Sequence, residues 1–149
     1  MILREYVYGW IRKLSEHRSE FGGMAACPHA GQAVFAICQV QDAPELEKLL
    51  PMITLRPYHV LIIEVVDPTC ASVALSSTRG TLAKTGLLAL PSDPANPTII
   101  AGFRTTQLDH YLVIVQRKEE LERASVQMKS KGYYQNWTDR QIAWTEDRH

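Results

Sequence analysis

The run Cys27-Pro28-His29-Ala30 sets a thiol two residues from an imidazole, in a stretch where Gly22-Gly23 and Pro28 favour a bend over a core segment. A thiol in such a loop can be held as thiolate by unpaired amides at a helix start and by a nearby imidazole, which lowers its pKa from about 8.5 toward neutrality. Attack on an electrophile, or a mixed disulfide with a protein thiol, is the chemistry that follows. Cys27 is therefore the expected nucleophile or redox thiol, with His29 or His17 tuning it. The plain alternative is that Cys27 is a small buried hydrophobe, as free cysteines often are. Cys38, in a strand pattern, and Cys70, in an apolar helix pattern, are read in that way.

The same residues admit a metal. His17, Cys27 and His29 are a set of nitrogen and sulfur donors suited to zinc or iron, and His59 or His110 could complete four ligands. The Cys-x-His spacing matches no common finger, so no cofactor is favoured over the bare thiol.

Glu64 is the informative acid, because it interrupts the apolar run Val60-Leu61-Ile62-Ile63-Glu64-Val65-Val66. A carboxylate in a covered strand is costly unless paired, or else its pKa shifts upward and it becomes a candidate acid or base. The alternative is that this strand end is open to water. Ligands of open α/β sheets bind beyond the carboxyl ends of strands, so Glu64 and Asp67 are expected to line a cleft. Arg104 is the expected partner of a substrate carboxylate or phosphate, with Thr105 and Thr106 as hydroxyl donors and Asp93 and Asn96 nearby, although surface loops contain such residues anyway. Tyr133, Tyr134 and Trp137, in Gly132-Tyr133-Tyr134-Gln135-Asn136-Trp137, can roof a pocket or simply pack at a helix stop.

The elements that must position these groups follow from hydrophobic spacing. Residues 2–17 put Leu3, Val7, Trp10, Ile11 and Leu14 on one helical face. Residues 33–40 read as a strand, Asp42 as the cap of a short helix through Leu50, and Tyr58 to Val66 as a strand covered on both faces. Asp67-Pro68 offers a helix start, with an imperfect helix over 69–88. The breaker-rich Leu90 to Pro97 reads as irregular, and Thr98 to Phe103 with His110 to Gln116 as an antiparallel pair. Arg117 to Lys131 returns to helical spacing, and Thr138-Asp139-Arg140-Gln141 fits the capping box of a last short helix.

That order predicts one α/β domain over 1–149, with a mixed sheet of about four strands, helices on both faces, an N-terminal helix and a short helical tail. It resembles the thioredoxin-like fold, in which a proline stands just before the third strand, as Pro97-Thr98-Ile99-Ile100 would. Cys27, however, precedes the first strand read here, where that family has its reactive cysteine after it. A ferredoxin-like α+β fold is the alternative. Cys27-Pro28-His29 also resembles the start of the Cys-Pro-His-Cys motif of thiol oxidases, but Ala30 replaces the second cysteine, which leaves a monothiol. Over most of the chain there is a further resemblance to small bacterial and phage proteins that pair an early Cys-Pro-x-Ala with a late Gly-Tyr-Tyr-x-x-Trp. It implies no activity, only that the two segments belong together.

Composition narrows the classes. The 149 residues can bury one core without staples, and 46% apolar with 21% charged residues is the balance of a packed domain. Sixteen basic and sixteen acidic residues leave no net field for nucleic acid or an acidic membrane. No secretory pattern opens the chain and no apolar run reaches the roughly 18 residues of a membrane span, so a cytoplasmic location with free thiols is expected. The expectation is a small enzyme acting on a small molecule through Cys27. The alternatives are a metal-binding protein using Cys27 with histidines, and a non-catalytic binding or assembly module that could form a homo-oligomer.

Overall fold

The computed structural model describes residues 3–16, 33–100 and 103–130. Helix α1 spans Leu3–Leu14, and strand β1, Phe35–Val40, follows the next described stretch. Then come α2 (Ala43–Leu49), a 3-10 turn at Leu50–Met52, β2 (Val60–Val65), α3 (Ala71–Lys84) and β3 (Leu87–Ser92). A two-stranded hairpin, β4 (Ile99–Ile100) with β5 (Phe103–Arg104), precedes β6 (Leu112–Arg117) and α4 (Lys118–Ser130).

The sheet is mixed, in the order β1-β2-β6-β3. β1 and β2 run parallel, with Gln39 beside Glu64, while β6 lies antiparallel to both β2 and β3. Because side chains alternate faces along a strand, Val60, Ile62 and Glu64 point to one side and Leu61, Ile63 and Val65 to the other. On the first side Val7 and Ile11 of α1 pack with Val60, Ile62 and Leu112. On the second, Leu46 and Leu50, with Ala71, Ala74 and Leu82 of α3, close over Ile63, Val65, Val113 and Val115. This is the expected α/β architecture, a four-stranded mixed sheet with helices on both faces.

Local chemistry explains most of the boundaries. Asp42 caps α2, its carboxylate accepting from the Glu45 amide at 3.1 Å. α3 corrects the sequence reading: Asp67 does not cap it, because its carboxylate instead accepts from the Thr69 amide in a tight turn at 3.1 Å. The helix begins later, at Ala71, after Cys70 has taken a left-handed conformation with φ 62. Cys70 is thus exposed at a helix entrance, not buried in an apolar face.

The larger corrections concern the sheet. Leu87–Ser92, which runs into the breaker-rich segment, is a strand, and it is this strand that lies antiparallel to β6. Pro91 is tolerated there because β3 is an edge strand, where one N–H has no partner to meet. The expected pairing of Thr98 to Phe103 with His110 to Gln116 does not occur. Ile99–Ile100 folds back on Phe103–Arg104 outside the main sheet, so Pro97 precedes a hairpin strand and not a sheet strand. The capping-box helix at 138–141 lies outside the described residues.

Candidate functional site

Polar groups converge at the carboxyl ends of the parallel strands, on the face covered by α1. Glu64 is 7% exposed near the end of β2, and Gln39 occupies the matching position of β1. The Gln39 side-chain amide donates to Glu64 Oε1, and His110 Nδ1 meets Glu64 Oε2. Both carboxylate oxygens are thereby engaged, which is how a carboxylate is accommodated in an otherwise apolar strand.

His110 is aimed by the turn that delivers it. Gln107, buried, accepts from the amides of Asp109 at 3.1 Å and His110 at 2.8 Å through its Oε1. Its Nε2 donates to the Ser92 carbonyl at 3.0 Å and to the carbonyl of His110. Tyr6 of α1 completes the frame. Its hydroxyl donates to Gln107 Oε1 at 2.9 Å and accepts from the Leu108 and Asp109 amides at 3.1 and 3.0 Å. Its ring meets the His110 ring edge-on, with centroids 4.3 Å apart. Burial pushes the Tyr6 phenol upward from its ordinary range, and the charge of Asp109 adds to that.

With a carboxylate accepting at Nδ1, the neutral ring carries its proton there and keeps its lone pair on Nε2. Among the described residues no partner meets Nε2, and the His110 side chain is 32% exposed. A carboxylate behind an imidazole and an open nitrogen in front is the arrangement of a general base, and equally of a metal-ligating histidine with its supporting acid.

The structure separates the residues singled out from sequence. Glu64 is in the cluster, paired through both carboxylate oxygens and itself covered. Asp67 is not in it: it is exposed in the turn after β2, and its hydrogen bonds from Thr69 hold its carboxyl below the usual range. Arg104 is braced internally, donating to the Thr106 carbonyl at 3.0 Å and the Pro94 carbonyl at 3.2 Å. Thr105 and Thr106 bond to the backbone of Thr98, and His59 Nδ1 accepts from the Val34 amide at 2.8 Å. Cys27, His29, His17, Tyr133, Tyr134 and Trp137 lie outside the described residues, and among the described ones no group of three metal-ligating side chains exists.

Sequence reasoning does not single out Tyr6, Gln39 and Gln107, and it marks His110 only as a spare ligand. One signal is available: Gln39 and Glu64 are each the polar residue near the end of an apolar strand, as expected if parallel neighbours end at one polar site. A cavity of about 650 Å³, edged by Leu55, Arg56, Gly86, Arg117 and Lys118, opens at the opposite end of the sheet and includes none of the cluster. Compared with known protein families, curated proteins and solved structures, the chain matches none. Among the described residues, no helix is long and apolar enough to cross a membrane.

Proposed function

We propose that the chain is a small enzyme acting on a small molecule, with His110, oriented by Glu64, as its proton-transfer group and Cys27 as its attacking thiol. The observation that carries the proposal is the buried Glu64 behind an imidazole whose outer nitrogen meets no described side chain. Tyr6 and Gln107 are positioning residues, since they hold the ring and its turn without facing outward. The Nε2 lone pair takes a proton from the reacting group and returns it to the leaving group. The thiol rests on the sequence context of Cys27, the thioredoxin-like affinity on the order of the elements, and a cytoplasmic setting on the sequence pattern alone.

The experiment is alkylation of the folded chain with iodoacetamide at about pH 6.5, well below an ordinary thiol value of about 8.5. The proposal expects Cys27 to react faster than a free thiol and to slow in His110→Gln. Reaction no faster than the free thiol ends the thiol part. An unchanged rate in His110→Gln separates the imidazole from it.

A second reading is favoured by the same ring. His110 Nε2, backed by Glu64, suits a zinc or iron ligand, with Cys27 and further histidines completing the set. Elemental analysis of protein purified without a tag distinguishes it, because a bound ion would appear in stoichiometric amount and its removal by chelator would lower stability.

A further inference from the structure

Three segments build the cavity of about 650 Å³ at the far end of the sheet: the loop leading into β2, the turn between α3 and β3, and the junction of β6 with α4. Backbone bonds hold these walls in place. The Gly86 carbonyl accepts from the Lys118 amide at 2.9 Å, which ties the second segment to the third, and the Gly86 amide donates to the Ala83 carbonyl at 3.1 Å. The Leu55 carbonyl accepts from the Tyr58 amide at 2.7 Å, which closes the first segment on itself. A Cβ placed at Gly86 would meet nothing within 4 Å, so this wall borders open space and not packed side chains. The volume falls in the range of small-molecule sites, about 300–1,000 Å³, which are commonly formed before their ligand arrives.

The lining has two characters. Leu55 and Leu87, both buried, form an apolar floor, and Arg56, Arg117 and Lys118 set three cations around it. Among the described residues no acid pairs with Arg56 or Lys118, and Arg117 reaches Glu120 only at 3.5 Å. Of the two acids on the wall, Glu119 is engaged by Arg123 at 2.8 Å, so the cations outnumber the carboxylates left to answer them. The whole chain carries no formal net charge, which makes this surplus a property of the cavity and not of a general field.

We propose that this cavity binds a small phosphate monoester with an apolar, ring-sized body, its phosphate held by Arg56, Arg117 and Lys118 and its body laid on Leu55 and Leu87. A dianion answers several cations at once where a single carboxylate would leave a surplus, and the fork of a guanidinium takes phosphate oxygens in pairs. The cavity contains no member of the His110 cluster, so this site and the proposed reaction stand or fall separately.

Titration of the nitrogen-15-labelled full chain tests this, with phenyl phosphate, inorganic phosphate and benzyl alcohol as probes. The pH is set at about 7.5, where a monoester whose second pKa lies near about 6 is mainly dianionic. The expected result is saturable shifts of the Leu55, Arg56, Gly86 and Lys118 amides with phenyl phosphate, at a Kd of about 1 mM or below. Inorganic phosphate should bind more weakly, and benzyl alcohol should not saturate. Arg56→Gln combined with Lys118→Gln is expected to weaken phenyl phosphate about tenfold or more, the worth of one hydrogen bond to a charged group. If that double variant folds poorly, sodium chloride takes its place: raising it from about 0.02 to 0.2 M on the wild type must weaken phenyl phosphate by screening. No saturable shift up to about 10 mM overturns the proposal. So does an affinity that neither the double variant nor salt moves, a shift pattern centred on other amides, or inorganic phosphate binding as tightly as phenyl phosphate.

Discussion

Glu64 and His110 stand 46 residues apart in the chain, yet a carboxylate oxygen of one meets Nδ1 of the other at the end of β2. Four separate segments converge around that contact. β2 presents Glu64 because its alternation puts that residue on the α1 face, and β1 supplies Gln39 to the second oxygen. The turn around buried Gln107 fixes the backbone of His110, and Tyr6 ties the turn to α1. The imidazole is thus held from behind and from one side, which leaves its outer nitrogen as the ring position able to act.

The first prediction concerns that pair. Glu64 is buried and His110 is one third exposed, so the contact contributes as a partly buried hydrogen bond to a carboxylate. His110→Ala leaves the carboxylate with Gln39 alone and is expected to cost about 2 kcal/mol in urea unfolding. Glu64→Gln, which keeps the shape and removes the charge demand, should cost less than His110→Ala. Nitrogen-15 spectra should show His110 protonated on Nδ1 in the wild type, with tautomers mixed in Glu64→Gln. A wild-type ring protonated on Nε2 would remove the basis for a general-base role.

The second concerns Cys70, whose φ of 62 at the entrance of α3 is a conformation that a side chain resists and glycine does not. The residue is exposed and its side chain makes no capping bond, so little packing is lost on replacement. Cys70→Gly is expected to raise stability by about 1 kcal/mol, less the added freedom of the unfolded chain. Cys70→Val should lower it, since a β-branched side chain suits this region least. The ranking of thermal midpoints, glycine above cysteine above valine, is the check.

How far these features can be read from sequence differs by kind. The buried run from Val60 to Val65, the spacing of α1 and the Asp42 cap are local signals, and the structure follows them. β3 escapes a local reading because Leu87–Ser92 ends in Pro91, and a proline reads as a breaker until the strand is known to lie at an edge. The start of α3 is misplaced because Asp67-Pro68 mimics a helix cap, while the aspartate is consumed by a local turn with Thr69. Glu64 is legible as a polar interruption. His110 and Tyr6 are not, because what unites them with Glu64 is the register of β2 with β6 and the seat of α1, which no local window contains.

The third prediction is a contrast within the core. Leu46 of α2 is fully buried between Ile63, Val65 and α3, whereas Leu108 is 66% exposed. Leu46→Ala removes apolar contacts and leaves a cavity that its neighbours only partly fill, at a cost of about 2–5 kcal/mol. Leu108→Ala should stay within about 0.5 kcal/mol. Equal effects in urea unfolding would show that α2 does not seal this face of the sheet.

The fourth prediction ties Tyr6 to alkaline pH. Burial, with help from the Asp109 charge, raises the folded pKa of Tyr6 above its unfolded value of about 10, and burial does the same for Tyr111, with Asp93 adding to it. Between the unfolded and folded values the native chain binds more protons than the unfolded one, so stability falls as pH rises through that window. Below about pH 10 the contribution of the neutral phenol is complete. Tyr6→Phe forfeits the hydrogen bonds to Gln107, Leu108 and Asp109 and is expected to lose about 1–3 kcal/mol at neutral pH. The variant has no phenol at position 6 to ionise, so its stability declines less steeply above about pH 10, and the gap to wild type narrows. Urea midpoints for both proteins from about pH 7 to 11 give the comparison, and a gap that stays constant or widens contradicts the placing of this hydroxyl inside the turn.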